Sequence, residues 1–304
     1  MKRLIFALFA VILTVSSCSR DTGEPVRVAV CASVGTVGLS SYLTYMYREK
    51  TGRSLEISVF ETEEALREAK TGGFDLLISN DAESNPAFLA EGYGLYKKDL
   101  LRGRILLLIP ESDPAQVKAL NDVGEALRRI AASGVLYYGG RNGSYTSSVE
   151  RKIWRDMGVN VDEIENFRRE DYNPQELLFA ANTNGSAYLL VDAADYLVFT
   201  SGTNGMSWDW IETDYPKSPD FVVRFDNPGE YRDYLLSTFD VALEPVKMPG
   251  LETVISAIPI NPDMLDNIRY DETAAFIKWL FNAETLFDMR QFIQEQTNYS
   301  YYSF

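Results

Sequence analysis

An alternation constrains most of what this chain can fold into. "VRVAVC" reads as a strand, "LSSYLTYMYREKTG" as a helix, "LEISVF" as a strand, "TEEALREAKTGG" as a helix and "FDLLIS" as a strand. In the first helix Leu39, Leu43, Met46 and Tyr47 recur at helical spacing on one face, and Gly52 ends it. "LEISVF" alternates with the period of a half-buried strand. The next helix carries an imperfect capping pattern from Thr62, with Glu63 and Glu64 in its first turn. Strands separated by amphipathic helices pair most readily in parallel, with the helices covering the sheet, so the expected class is α/β.

The pattern then starts again. "GRILLLIP" (103–110) is a strand closed by Pro110, and "DPAQVKALNDVGEALRRIAASG" predicts helical segments. "VLYYG" is a strand, "SSVERKIWRDMG" a helix starting near Ser147, and "PQELLFAANTNG" a helix stopped by Gly185. "SAYLLVD" is a strand and "AADYLVF" a short helix. At the far end "PGLETVISAIPINP" predicts a strand. "DETAAFIKWLFNAETLFDMRQFIQEQ" predicts one or two closing helices, with Ala274, Ile277, Lys278 and Phe281 bracketing an apolar face. A chain of 304 residues has room for two such lobes. The stretch 201–248 fits neither period. Its Trp208, Trp210 and Tyr215 read as a sugar or peptide platform or, more commonly, as satellite packing.

The N-terminus reads as an export leader: Lys2 and Arg3, an apolar run from Leu4 to Val15, then small residues. Val15-Ser16-Ser17-Cys18 resembles a bacterial lipobox, which predicts cleavage before Cys18 and acylation of that cysteine; a plain signal peptide is the alternative. The apolar run is shorter than the ~20 residues of a membrane span. The expected organisation is therefore 1–17 as lipoprotein signal peptide and 18–25 as tether. Lobe 1 would comprise 26–110, with 249–304 returning to it, lobe 2 would comprise 111–200, and 201–248 would be an insertion. Cys31, in an apolar strand, reads as a buried free thiol.

Charge and composition remove whole classes of function. The net charge of −15 disfavours a nucleic-acid partner, which would need many phosphates neutralised. The chain has no histidine, which excludes Ser-His-Asp and Cys-His catalysis and nearly all zinc chemistry. Runs such as "NVDEIENFRREDYN" lack calcium-loop spacing and read as a solvated face. No catalytic residues, no metal and no cofactor are expected, and the chain is read as a non-enzyme.

What remains is anion chemistry without a basic patch. In "YYGGRNGSYTSS" a strand runs into a loop that opens a helix. The first N–H groups of that helix lack intrahelical partners and carry the positive end of its dipole. Ser144 and Thr146 add hydroxyls, Gly143 and the Gly139-Gly140 pair admit close approach, and Arg141 supplies a cation. The alternative is a simple cap and turn. "CASVGTVGLS" has the same grammar, with Ser33, Gly35 and Thr36 at a strand-to-helix junction. Two such junctions, one per lobe, could converge on a ligand beyond the strand ends. Asp192, at the end of "YLLVD", could orient a donor or cap a helix.

In this order the segments resemble the tungstate-type oxyanion-binding proteins of ABC importers, within the two-lobed extracellular solute-binding proteins. The resemblance rests on "ASVGTVGLSSYLTYMYREKTG", "GGFDLLISNDAESNPAFLAEGYG", "LLLIPESDPAQVKAL", "ALRRIAASGVLYYGGRNGSYTSS", "AYLLVDAADYL" and "VISAIPINP". It implies a type II periplasmic-binding-protein-like fold: two mostly parallel sheets flanked by helices, joined by a hinge and closing on one small anion. The family's three ligand motifs fall on Cys31–Thr36, Gly139–Thr146 and Asp192–Tyr196. Ser33, Ser144, Thr146, Asp192 and Tyr196 match; glycines stand for a serine and an arginine at 139 and 140, Tyr145 for a glycine, and Ala193 for an arginine. The implied contacts are Ser33, Gly35, Thr36, Arg141, Gly143, Ser144, Tyr145, Thr146 and Asp192. The implied partners are a small anionic solute, an ABC permease and the membrane through the lipid on Cys18, with the chain a monomer outside the cytoplasm. The rival expectation is a lipoprotein of the same fold turned to interaction, sensing or a larger organic solute.

Overall fold

The computed structural model describes residues 23–35, 38–201 and 243–297. The leader with Cys18, Thr36, and the stretch containing Trp208, Trp210 and Tyr215 lie outside them. The chain opens with β1 (Val26–Cys31), the short α1 (Ala32–Gly35) and α2 (Leu39–Thr51), then β2 (Leu55–Phe60), α3 (Thr62–Ala69), β3 (Leu76–Ser79) and α4 (Ser84–Ala90). β1 pairs in parallel with β2 and with β3, as the alternation predicts. Leu39, Leu43 and Tyr47 of α2 are buried against this sheet, and Gly52 closes the helix at φ 74°. The N-cap of α3 is Glu61 rather than Thr62, because Thr62 is drawn into the core at the first helical position.

β4 (Lys98–Pro110) is longer than its apolar core suggested. Lys98–Arg104 pairs with β9 (Glu252–Pro259) in the first lobe, and Ile105–Leu108 pairs with β7 (Tyr188–Asp192) in the second. One strand thus serves two lobes, which is why it outruns the fully buried stretch. The second lobe continues with α5 (Val123–Ser133), β5 (Tyr137–Gly139), α6 (Tyr145–Asp156), β6 (Phe167–Arg169), α7 (Pro174–Asn184), β7, α8 (Ala193–Ser201) and β8 (Leu243–Val246). β5 pairs in parallel with β6 and β7, while β8 lies antiparallel on the end of β4. The full strand order is β2-β1-β3-β9-β4-β7-β5-β6, with β8 beside β4. From β9 the chain returns to the first lobe as α9 (Tyr270–Leu280) and α10 (Ala283–Thr297).

Three expectations need correction. Residues 113–122 do not continue a helix: Asp113 and Gln116 take left-handed backbone angles, and Asp113 instead accepts from the Val117 and Lys118 N–H groups and the Tyr188 hydroxyl. The acidic run is not simply a solvated face, because it contains β6. Phe167 of β6 stacks on Tyr137, and Arg169 turns inward. The buried face of α9 is Thr273, Phe276, Ile277 and Leu280, whereas Ala274 and Lys278 point outward.

The first lobe has one apolar core built on β1, β3 and β9. The second has one on each face of its sheet. A polar hub fixes the return of the chain. Asp75, fully buried, accepts from the Arg27 backbone N–H, Nε and a terminal guanidinium nitrogen, and from the Arg269 N–H ahead of α9. Burial pushes its carboxyl up, but these donors outweigh it and hold the group below the usual carboxylate range. Among the described residues no helix is long and apolar enough to cross a membrane.

Candidate functional site

The carboxyl ends of the parallel strands in both lobes come together, and the crevice is taken as the seam between them: Arg141 after β5 pairs with Glu61 after β2, and Tyr145 lies within electrostatic reach of Cys31 at the end of β1 and Asp192 at the end of β7. On the second-lobe side, β5 ends at Gly139 and the chain reaches α6 in a few residues. Gly143 takes φ 85°, a left-handed turn that a side chain would strain. Ser144 is the N-cap, its hydroxyl accepting from the Ser147 N–H at 3.2 Å. α6 therefore begins at Tyr145, earlier than the sequence suggested, because Ser144 supplies the cap. Thr146 Oγ1 lies 3.2 Å from Ser144 Oγ, and Ser147 Oγ is buried without a hydrogen-bond partner. Gly140 packs so closely that a Cβ there would sit 2.6 Å from Thr146 Oγ1 and 2.9 Å from the Ser147 nitrogen. The hydroxyls and the first N–H groups of α6 thus form a tight cradle at a helix N-terminus.

Behind the cradle lies a carboxylate that the sequence did not single out. Glu150, fully buried in α6, accepts from the Gly140 N–H at 3.1 Å and from Arg169 at 2.8 Å. Burial pushes its carboxyl up to about 7, against the opposing pull of Arg169 and the Gly140 N–H. Arg169 also lies over the Phe167 ring. The pair braces the loop from the inside.

On the first-lobe side, β1 ends at the buried Cys31, whose thiol is raised to about 11 by burial. Ser33 lies in α1 and Gly35 closes it; the Ser33 side chain, like Thr36, falls outside the described residues. β3 ends at Ser79, and Asn80 and Asp81 follow it, all three buried. Asp81 holds the turn that leads into α4, accepting from the Glu83 and Ser84 N–H groups. Sequence reasoning passed over these residues. They share the strand-to-helix position that nominated Ser33 and Ser144, and that was the available signal.

Tyr145 joins the two sides. It is 7% exposed, and burial raises its phenol well beyond the normal tyrosine value. Thr253 of β9, Asp192 at the end of β7, Asp81 and Cys31 all lie within electrostatic reach of its hydroxyl. Asp192 is buried and accepts from the Ala194 N–H, the capping role its position allowed. Arg141 is partly exposed but engaged: its guanidinium is paired with Glu61 of the first lobe, and Asp171 lies 4.0 Å from its Nε. The Gly143 carbonyl accepts from the Glu63 N–H at 3.2 Å, and Arg151 and Arg155 of α6 pair with Glu63 and Glu83. The structure thus brings Arg141, Gly143, Ser144, Tyr145, Thr146 and Asp192 to one crevice.

Two lobes of mixed rather than mostly parallel sheet, each with three parallel strands (β2-β1-β3 and β7-β5-β6) completed by antiparallel pairings through β4, β8 and β9, with strand ends converging between them, define a type II periplasmic-binding-protein-like fold. Solved structures share it. The tungstate ABC transporter from Geobacter sulfurreducens superposes with a TM-score of 0.64 at 18% identity, covering 88% of this chain and 98% of its own. The tungstate binding protein TupA from Desulfovibrio alaskensis G20 gives 0.63 at 22% identity, covering 86% and 92%. In sequence, the tungstate-binding protein TupA of Peptoclostridium acidaminophilum is 23% identical over 300 residues, spanning 93% of this chain and 91% of its own length. No protein-family model matches the chain. The likeness to tungstate-type substrate-binding proteins read from the motifs extends over nearly the whole chain.

Proposed function

We infer that the chain is an extracytoplasmic solute-binding protein that captures a small oxyanion between its lobes and delivers it to an ABC permease. One observation carries this: the N-terminus of α6, with Ser144, Thr146 and the unpartnered Ser147 hydroxyl, lies where the ends of strands from both lobes come together. An acidic protein can hold an anion there, because the donors are oriented backbone dipoles and hydroxyls rather than a basic surface. The relatives named for tungstate binding support the choice of ligand. Ser33, Gly35, Thr36, Arg141, Gly143, Ser144, Tyr145, Thr146 and Asp192 are the assigned contacts. Cys18 is the assigned lipid anchor, 26–110 with 249–304 and 111–200 are the assigned lobes, and the monomer is the assigned working form.

A second reading, a crevice repurposed for a larger organic solute or for a protein partner, is favoured by Tyr145 and by the prior engagement of Arg141 with Glu61. A thermal-shift screen separates the two. Its panel holds tungstate, molybdate, sulfate, phosphate, carboxylates, amino acids and sugars. A ligand at a hundred times its Kd adds about 2.7 kcal/mol to stability. A shift with tungstate or molybdate supports the oxyanion assignment. A shift only with an organic solute, or with nothing, overturns it.

A further inference from the structure

Glu61 stands at the N-cap of α3, yet its side chain makes no capping bond. It turns across the crevice to Arg141, the one cation that the loop before α6 brings to the cradle. Both side chains of the pair are about a quarter exposed (27% and 26%), so their attraction is less screened than that of the flanking pairs. Arg151–Glu63 and Arg155–Glu83 are 40–60% exposed on every side chain, the range in which ion pairs contribute little. The pair joins the two lobes and puts a protein carboxylate on the guanidinium.

We propose that Glu61 is a built-in counter-anion of the crevice. It holds Arg141 until a solute oxyanion displaces it, and so sets the affinity threshold that a solute must pass. This rests on the oxyanion reading of the crevice. A carboxylate and an oxyanion compete for the same planar donors. A dianion gains more from Arg141 and the α6 N-terminus than a monoanion does, so it meets the cost of displacing the resident carboxylate more easily. That cost is the same for every anion, so Glu61 lowers all affinities by a common factor, and repulsion from the displaced carboxylate adds most against the dianion.

The test uses isothermal titration of the mature chain and of Glu61→Gln with tungstate, molybdate and perrhenate, the last a monoanionic tetrahedral oxyanion of similar size. Glu61→Gln is expected to bind tungstate about tenfold more tightly, the scale of one charge-assisted contact no longer competed for. Perrhenate is expected to gain no more than tungstate does, so the preference for tungstate is held or widened. Glu61→Ala should reproduce both effects, and Glu63→Gln should leave both affinities within about twofold, as an exposed pair predicts. If wild type binds tungstate but Glu61→Gln binds it equally or more weakly, Glu61 merely positions Arg141 and the proposal fails. If neither wild type nor variant binds any of the three, the oxyanion reading fails, and the proposal with it.

Discussion

Replacing Gly140 with alanine probes the cradle directly. The new Cβ would lie 2.6 Å from Thr146 Oγ1, 2.9 Å from the Ser147 nitrogen and 3.2 Å from Ser144 Oγ. Thr146 can rotate away, at the cost of its 3.2 Å approach to Ser144, but the Ser147 nitrogen belongs to the first turn of α6 and moves only with the helix. Overpacking of this kind costs about 1–3 kcal/mol, and the reduced freedom of the unfolded chain returns about 0.4–1 kcal/mol. The net loss is about 1–2 kcal/mol, or roughly 2–8 °C in melting temperature at about 2–4 °C per kcal/mol. The effect on binding should be larger, because the methyl group occupies the space where an oxyanion would meet the hydroxyls. Differential scanning fluorimetry with and without tungstate measures both. Gly143→Ala is the control: its Cβ meets nothing within 4 Å, so it should lose stability through its φ of 85° while the cradle stays open. A Gly140→Ala variant with an unchanged melting temperature and an unchanged tungstate shift would refute the assignment of this cradle as the anion site.

Ser144→Ala should cost about 1 kcal/mol through loss of the α6 cap and weaken tungstate about tenfold, whereas Thr146→Ala should reduce affinity with little loss of stability; calorimetric titration beside chemical denaturation separates the two. Glu150 binds its proton more tightly in the folded chain than in the unfolded one, so its contribution to stability falls as pH rises from about 4.5 to about 7 and then levels. The change is up to roughly 3 kcal/mol, and urea midpoints at pH 5 and pH 8 should differ less in Glu150→Gln than in wild type. Asp75→Ala should cost about 3–5 kcal/mol, because it strands Arg27 in a largely buried position; denaturant unfolding reads this directly.

Why two glycines stand where the resembled family has a serine and an arginine becomes clear only from the packing. A Cβ at Gly139 would come 2.5 Å from the Phe167 ring, and one at Gly140 would enter the hydroxyl cradle. Phe167 belongs to β6, within the acidic run where strand periodicity was too short and too mixed to recognise. The same strand carries Arg169 to Glu150, so the inner brace of the binding loop was hidden along with it.

The sequence by itself determined the alternation of strands and helices, the caps at Gly52 and Gly185, and the small hydroxyls where β1 and β5 give way to helices. These are local consequences of spacing and side-chain chemistry, legible within a dozen residues. The tertiary structure alone decided that β4 spans both lobes, that Asp75 gathers β1, β3 and the start of α9, and that Arg141 meets Glu61. Those contacts join residues far apart along the chain, and sheet order and lobe packing, rather than local periodicity, bring them together.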